Sequence, residues 1–252
     1  MPHAVARLRT ARLARSVKPF LARGGPKGVR CVDCRLLISH CMCAWRPDVP
    51  TRAGMCLLMA DIEALKPSNT GWLIADVVAN TFAFAWARTE VEPGLLTLLA
   101  DPQWQPYVVF PAAFAEPARV VHEVAHPSTD VRPLFILLDG TWDEARKMFR
   151  KSPYLQRFPV LSLDAAQPSR YTLRRAQSEA HFCTAEVGAM CLALADEALA
   201  ADALHAYLDV YTHRYLQAKQ QRPVDMHDAV HTRLRQTAPL CQIAPPMPIH
   251  AD

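Results

Sequence analysis

Four cysteines, Cys31, Cys34, Cys41 and Cys43, fall within thirteen residues, while Cys56, Cys183, Cys191 and Cys241 are scattered. Two close thiol pairs joined by a short loop can converge on one tetrahedral ion. Four thiolates suit zinc and leave no position for water, so the expected site is structural. The second pair has one intervening residue where zinc ribbons commonly have two. His40 offers a substitute ligand, an iron–sulfur cluster would use the same thiols, and four reduced, unliganded cysteines are the plain alternative. A disulfide framework is disfavoured, because the thiols cluster and no apolar signal-like core precedes Cys31.

A second group of reactive side chains lies in Asp139-Gly-Thr-Trp142, at the end of the apolar run Leu134–Leu138 and ahead of the amphipathic segment Asp143–Lys151. A carboxylate leaving the carboxyl end of a buried strand, next to glycine and a helix start, sits where open α/β sheets bind ligands. Such a group can accept a proton or make a charge-assisted hydrogen bond. The bland alternative is a helix cap followed by a core tryptophan. Downstream, Ser169 and Tyr171 bring hydroxyls, Arg174 and Arg175 bring guanidinium forks, and Cys183-Thr-Ala-Glu186 opens a helix whose start offers amide donors, with a capping role as the plain alternative for Thr184. Arg146, Lys147, Arg150 and Lys151 recur at helical spacing, which suits either a solvated face or contact with RNA phosphates. His122, His126, His205 and His213 show no ligand spacing.

The elements that must position these groups alternate. Met55–Ala60, Phe82–Trp86, Tyr107–Phe110, Leu134–Leu138 and Pro159–Leu163 are short apolar runs, with a helix expected from about Thr70 to Ala79. Near-continuous apolar strands separated by crossover lengths imply a mostly parallel sheet covered by helices on both faces. From Glu179 to about Gln221 the chain becomes long alanine- and leucine-rich helix, with a break expected near Leu199–Asp202. Residues 1–30 carry eight basic residues and no acidic one, so a net charge of +4 leaves −4 for the rest. That arm suits RNA contact, an idle solvated tail or an organelle transit segment. The division expected is a basic arm at 1–30, a cysteine-rich zinc module at 31–50, an α/β domain at 51–236 and a proline-rich tail at 237–252, in a cytoplasmic protein without a membrane span.

Asp139-Gly-Thr-Trp142 resembles the D-x-T-W signature of the DTW-domain family, and Ala145-Arg-Lys-Met148 continues the same block. Ser169-Arg-Tyr-Thr-Leu-Arg174 resembles the family's S-x-Y-x-L-R element, Cys183-Thr-Ala-Glu186 its C-T-A-E element, and Pro67-Ser-Asn-Thr-Gly71 its T-N-T loop. With the cysteine cluster, the resemblance runs in order from Cys31 to about Gly188. Two positions depart from it: Ala60 stands where members often carry histidine, ahead of Asp61 and Glu63, and Pro111-Ala-Ala113 replaces a small polar and an acidic residue.

The resemblance implies a SPOUT-like α/β fold with a trefoil knot, and transfer of the aminocarboxypropyl group of S-adenosylmethionine to N3 of a uridine in tRNA. It implies Asp139 as the catalytic group, either removing the N3 proton or orienting the cofactor's amino group. Pro111, Leu138, Gly140, Thr141, Trp142, Leu163, Ser169, Tyr171, Arg174 and Thr184 are the cofactor contacts it suggests, with Arg174 on the cofactor's carboxylate. Asn69, Arg146, Lys147, Arg150, Lys151 and Arg175 are the expected RNA contacts. Rival readings are an S-adenosylmethionine-dependent RNA methyltransferase and a non-catalytic zinc-containing RNA-binding protein.

Overall fold

The computed structural model describes residues 2–18, 20, 25, 27–125, 130–163, 173 and 182–241. Its centre is a sheet of six strands: β1 (Gly54–Met59), β2 (Thr81–Ala85), β3 (Trp104–Val109), β4 (Val120–Val121), β5 (Arg132–Asp139) and β6 (Val160–Leu161). They lie in the order β2-β1-β5-β3-β6-β4, and every pairing is parallel. The five apolar runs of the sequence are thus all strands, within a few residues at their ends. The two-residue β4 carries too short an apolar signal to stand out.

Side chains of a strand alternate between faces, and here the alternation divides the core in two. Met55, Leu57, Met59, Phe135, Leu137, Tyr107 and Val109 join one cluster, built with helices α1 (Ala4–Ala14), α2 (Gly71–Val77), α5 (Thr184–Leu194) and α6 (Ala198–Lys219). Cys56, Leu58, Leu134, Ile136 and Val108 join the other, built with α3 (Pro93–Ala100) and flanked by Phe149 of α4 (Trp142–Lys151). The last helix, α7 (Ala229–Thr237), adds Leu234 to the first cluster. None of the helices among the described residues is long and apolar enough to cross a membrane.

Two expectations need correction, and a third is made definite. The break in the long helix falls at Ala195–Glu197, earlier than Leu199–Asp202. Composition does not mark it, because tertiary contacts impose it: Asp196 takes a left-handed φ of 60°, and Glu197 Oε1 accepts from the amides of Arg52 (2.9 Å) and Ala53 (2.7 Å). The basic arm holds a docked helix, where sequence composition suggested RNA contact, an idle solvated tail or an organelle transit segment. In α1, Val5 is fully buried, His3 caps the helix and sets its ring edge against Trp72 (4.5 Å), and Arg12 forms a fork on Asp61 (2.7 and 2.8 Å). The start of the tail is pinned, because Asp48 N donates to Pro239 O and Cys241 N to Arg46 O, both at 2.8 Å; residues 242–252 lie outside the described residues.

Burying a valine side chain contributes about 1.5–3 kcal/mol, and an unpaired buried carboxylate costs more than that. Val5→Asp is therefore expected to undock α1 while leaving the sheet folded. Tryptic cleavage at Arg7, Arg9 and Arg12 should accelerate roughly tenfold or more under native conditions. Unchanged cleavage would mean the helix is not held by this contact.

Candidate functional site

The four clustered cysteines converge. Cys31 Sγ lies 3.6 Å from Cys43 Sγ and Cys34 Sγ 3.7 Å from Cys41 Sγ, with all four sulfurs within 4.8 Å of one another. A tetrahedral zinc–thiolate centre with bonds near 2.3 Å requires sulfur separations of about 3.8 Å, so the donor set fits that ion. Hydrogen bonds from Cys34, then from Cys41 and Cys43, pull the Cys31 thiol well below its ordinary pKa. His40 is not a ligand. One ring nitrogen pairs with Ser39 Oγ and the other with Arg222 O, each at 2.9 Å.

Asp139 ends β5, and as the next residue on the Leu137 face it turns its side chain toward α2 and α5. It is 1% exposed. Its Oδ2 accepts from Asn69 Nδ2 at 2.7 Å and its Oδ1 from the Thr184 hydroxyl at 2.8 Å, while its carbonyl accepts from Ala60 N at 2.9 Å. Asn69 is itself buried; its amide nitrogen also reaches Glu63 Oε2 at 3.4 Å, and its oxygen accepts from Trp72 N at 3.3 Å. Glu63 is fully buried and paired with Lys66. Two carboxylates therefore share one amide. The helix α2 starts with glycine for a steric reason: a Cβ on Gly71 would stand 2.6 Å from Asp139 Oδ2.

The loop carrying Asn69 is gripped from the cysteine module. Arg35 directly follows Cys34, takes a left-handed φ of 63° that non-glycine residues seldom adopt, and is 2% exposed. Its Nη1 donates to Lys66 O and its Nη2 to Asn69 O, both at 2.9 Å, and its guanidinium lies 4.1 Å above the Trp72 ring. Tyr211 of α6 donates to Pro67 O in the same loop. On the far side, Arg214 of α6 holds Cys41 O. Deeper in, Asp76 of α2 lies 2.9 Å from Arg46 and accepts from the Tyr207 hydroxyl at 3.0 Å, and burial raises its pKa to about 6.

Helix α4 opens with a capping box in which Thr141 and Glu144 satisfy each other, so the Thr141 hydroxyl is already bonded, to Glu144 Oε2 at 2.7 Å. Ala145 and Met148 pack inward, while Arg146, Lys147, Arg150 and Lys151 border a cleft of about 510 Å³ together with Arg88 and Phe114. Leu138, on the opposite face of β5 from Asp139, packs with Trp142 against the cluster of Phe110, Ala145 and Val160, and Trp142 stacks on Phe110 at 5.4 Å. The basic cleft and the Asp139 carboxylate thus occupy opposite faces of the sheet at the same carboxyl edge.

Of the residues singled out in the sequence, Asp139 and Thr184 meet directly, and Gly140, Thr141 and Trp142 follow in the adjoining turn. Pro111 and Leu163 leave the carboxyl ends of β3 and β6. Asn69, expected on RNA, is instead a buried partner of Asp139. Cys183 caps α5, its amide donating to Glu186 Oε2 at 2.8 Å, so Thr184 stands one position inside the helix and its hydroxyl is free to reach Asp139. Burial pushes the Cys183 thiol up to about 12. Ser169, Tyr171, Arg174 and Arg175 lie outside the described residues. Glu63, Arg35 and Arg88 had no assigned role; a lone arginine in an arginine-rich segment carries no local signal, but Glu63 stood beside the first strand's exit and was open to suspicion.

Residues 28–216 match the DTW domain. Over 174 residues the chain is 32% identical to a Drosophila melanogaster protein named tRNA-uridine aminocarboxypropyltransferase 2, an alignment covering 66% of this chain and 66% of that relative, just under two thirds of its length. No solved structure matches.

Elemental analysis of protein never exposed to chelator should give one zinc per chain, and stripping it should lower Tm by roughly 10 °C or more, since ion binding to a preformed thiolate set is folding free energy. Arg35→Ala should keep the metal yet speed hydrogen exchange at the Asn69 and Gly71 amides about tenfold. Less than half an equivalent of any transition metal would remove the metal assignment.

Proposed function

The chain belongs to the DTW-domain family, and from that premise we propose that it transfers the 3-amino-3-carboxypropyl group of S-adenosylmethionine to N3 of a uridine in tRNA. The name of the Drosophila relative supports the enzyme class and the tRNA substrate. The observation that carries the reading is that three motif segments far apart in sequence, around Asn69, Asp139 and Thr184, meet at the carboxyl edge of a parallel sheet. A SPOUT-like, knotted threading belongs to the same proposal. An all-parallel order and the return of the chain from β6 to pack α5 against β5 support it.

The donor supplies an electrophilic methylene next to a sulfonium that also activates a methyl and a ribose carbon. Orientation therefore decides which carbon is attacked. In this reading the turn Leu138–Trp142, with Pro111, Leu163 and Thr184, lines the donor pocket, and Ser169, Tyr171 and Arg174 complete it, Arg174 on the carboxylate. Uridine N3 is mostly protonated at neutral pH and must lose its proton as the new bond forms. Asp139 can serve as the base or as the group that orients the donor's amino nitrogen. Its burial and its engaged oxygens support the orienting role, because a base needs direct approach by the pyrimidine.

The metal in this proposal is zinc with a structural task, holding the module from which Arg35 reaches the Asn69 loop. Arg146, Lys147, Arg150 and Lys151 provide the RNA-facing charge, and Arg175 is assigned to the same role from the sequence alone. None of the eight cysteines is joined in a disulfide, which supports a reducing, cytoplasmic setting.

Asp139→Asn is expected to lower turnover at least a hundredfold and, for an orienting carboxylate, to weaken S-adenosylmethionine binding by roughly tenfold to a hundredfold in calorimetry, the size of a charge-assisted hydrogen bond. Retained affinity with lost turnover would reassign Asp139 as a base. Nucleoside mass analysis of tRNA treated with the enzyme separates an aminocarboxypropyl product from a methyl one. A methyl product, or no cofactor binding by the wild type, would overturn the proposal.

A further inference from the structure

The cleft on the α4 face is not needed to hold Asp139, yet it concentrates charge. Arg88, from the segment after β2, and Arg146, Lys147, Arg150 and Lys151 line it against a single carboxylate, Asp143. Residues 31–252 carry a net charge of −4, so this excess of cations is local. Asp143 is already paired with Arg146, and Lys147 lies 5.8 Å from the Trp86 ring. Arg88, Arg150 and Lys151 form no ion pair among the described residues. Like charges held together without partners repel one another, and a bound polyanion relieves that repulsion.

The floor of the cleft is aromatic. Phe110 is sandwiched between Phe149 (4.4 Å, 11°) and Trp142 (5.4 Å, 10°), which covers both faces of its ring. Phe114 meets Phe110 and Trp142 at steep angles, 67° and 76°, and remains 47% exposed, so its ring stays open to the cleft. An exposed aromatic ring framed by unpaired arginines is the arrangement on which single-stranded nucleic acid binds, through base stacking and phosphate contact. The volume, about 510 Å³, falls in the range that encloses small ligands and suffices for one nucleotide.

We propose that this cleft is a receptor for one unstacked nucleotide of the RNA substrate, its base stacked on Phe114 and its flanking phosphates held by Arg88, Arg150 and Lys151. The proposal rests on the reading that the chain acts on tRNA. Because Asp139 faces the other side of the sheet, the receptor grips the RNA beside the reacting centre and takes no part in the transfer itself.

The test uses the full-length, metal-replete protein and tRNA, with affinity followed by fluorescence anisotropy from about 50 to 200 mM salt. Phe114→Ala should weaken binding roughly tenfold or more, and Phe114→Tyr, which keeps a stacking face, should restore most of it. The double variant Arg88→Ala and Arg150→Ala should flatten the logarithmic salt dependence by about two phosphate contacts. An oligouridine single strand should lose affinity with Phe114→Ala by a similar factor. Calorimetry with S-adenosylmethionine, run on the same variants, should show unchanged affinity.

Unchanged tRNA affinity in Phe114→Ala together with an unchanged salt slope in the double arginine variant would overturn the receptor. A loss of S-adenosylmethionine affinity matching the loss of RNA affinity would do so too, by giving the cleft to the donor. The transferase reading fails on a different result: wild-type protein that binds tRNA through Phe114 and the arginines but forms no aminocarboxypropyl nucleoside leaves the receptor standing and removes the reaction.

Discussion

A carboxylate at 1% exposure is costly unless its oxygens are satisfied, and this constraint organises the carboxyl edge of the sheet. Asp139 meets it by recruiting an amide from the loop after β1 and a hydroxyl from the first turn of α5. Each partner is placed by its own local device. Asn69 is held by Trp72 N and the start of α2, Thr184 is freed by Cys183 taking the cap position, and Gly71 leaves room where any side chain would strike the carboxylate. The polar cluster thereby welds three segments that the parallel topology merely brings near.

The cysteine module is joined to this cluster by one side chain. Arg35 spans from the fold of the thiol loop to two carbonyls of the Asn69 loop, with Trp72 beneath its guanidinium. Its left-handed backbone is an unfavourable conformation for arginine, and the surrounding contacts offset the cost. Helix α6 closes the circuit through Arg214 on the thiol loop and Tyr211 on the Asn69 loop. The order of the cysteine segment and the order of the carboxylate cluster are therefore one structural property.

Strands were legible because their apolar runs are short, continuous and separated by crossovers; the sheet's parallel character followed from the same pattern. The cysteine cluster was legible because ligand spacing is local. Helix α1 was not, since a single fully buried valine among arginines leaves little periodicity, and α7 was missed because it buries only His231 and Leu234 among polar neighbours. The Asp139 block could be placed at a strand's exit from sequence alone, whereas its partners are 70 and 45 residues away and no local pattern encodes a hydrogen bond across such distances. Asn69 shows the difficulty well: a polar residue in a polar loop reads as a surface contact, and only the packing of Arg35, Trp72 and Glu63 around it makes it interior. The opposite faces taken by Asp139 and the basic helix follow from strand alternation, yet they acquire meaning only once the helices covering each face are known.

The long sequence separations around Asp139 also bear on biosynthesis. A chain emerging from its N-terminus can complete β1, β2, β3 and β5 before Thr184 exists, so until α5 is made the carboxylate lacks the Thr184 hydroxyl. The central polar cluster closes late, after most of the sheet is in place, and non-local closure of this kind slows folding. Shortened chains ending before α5 would leave the Asp139 face of the sheet uncovered, and that exposed apolar surface would mark them as substrates for cellular quality control.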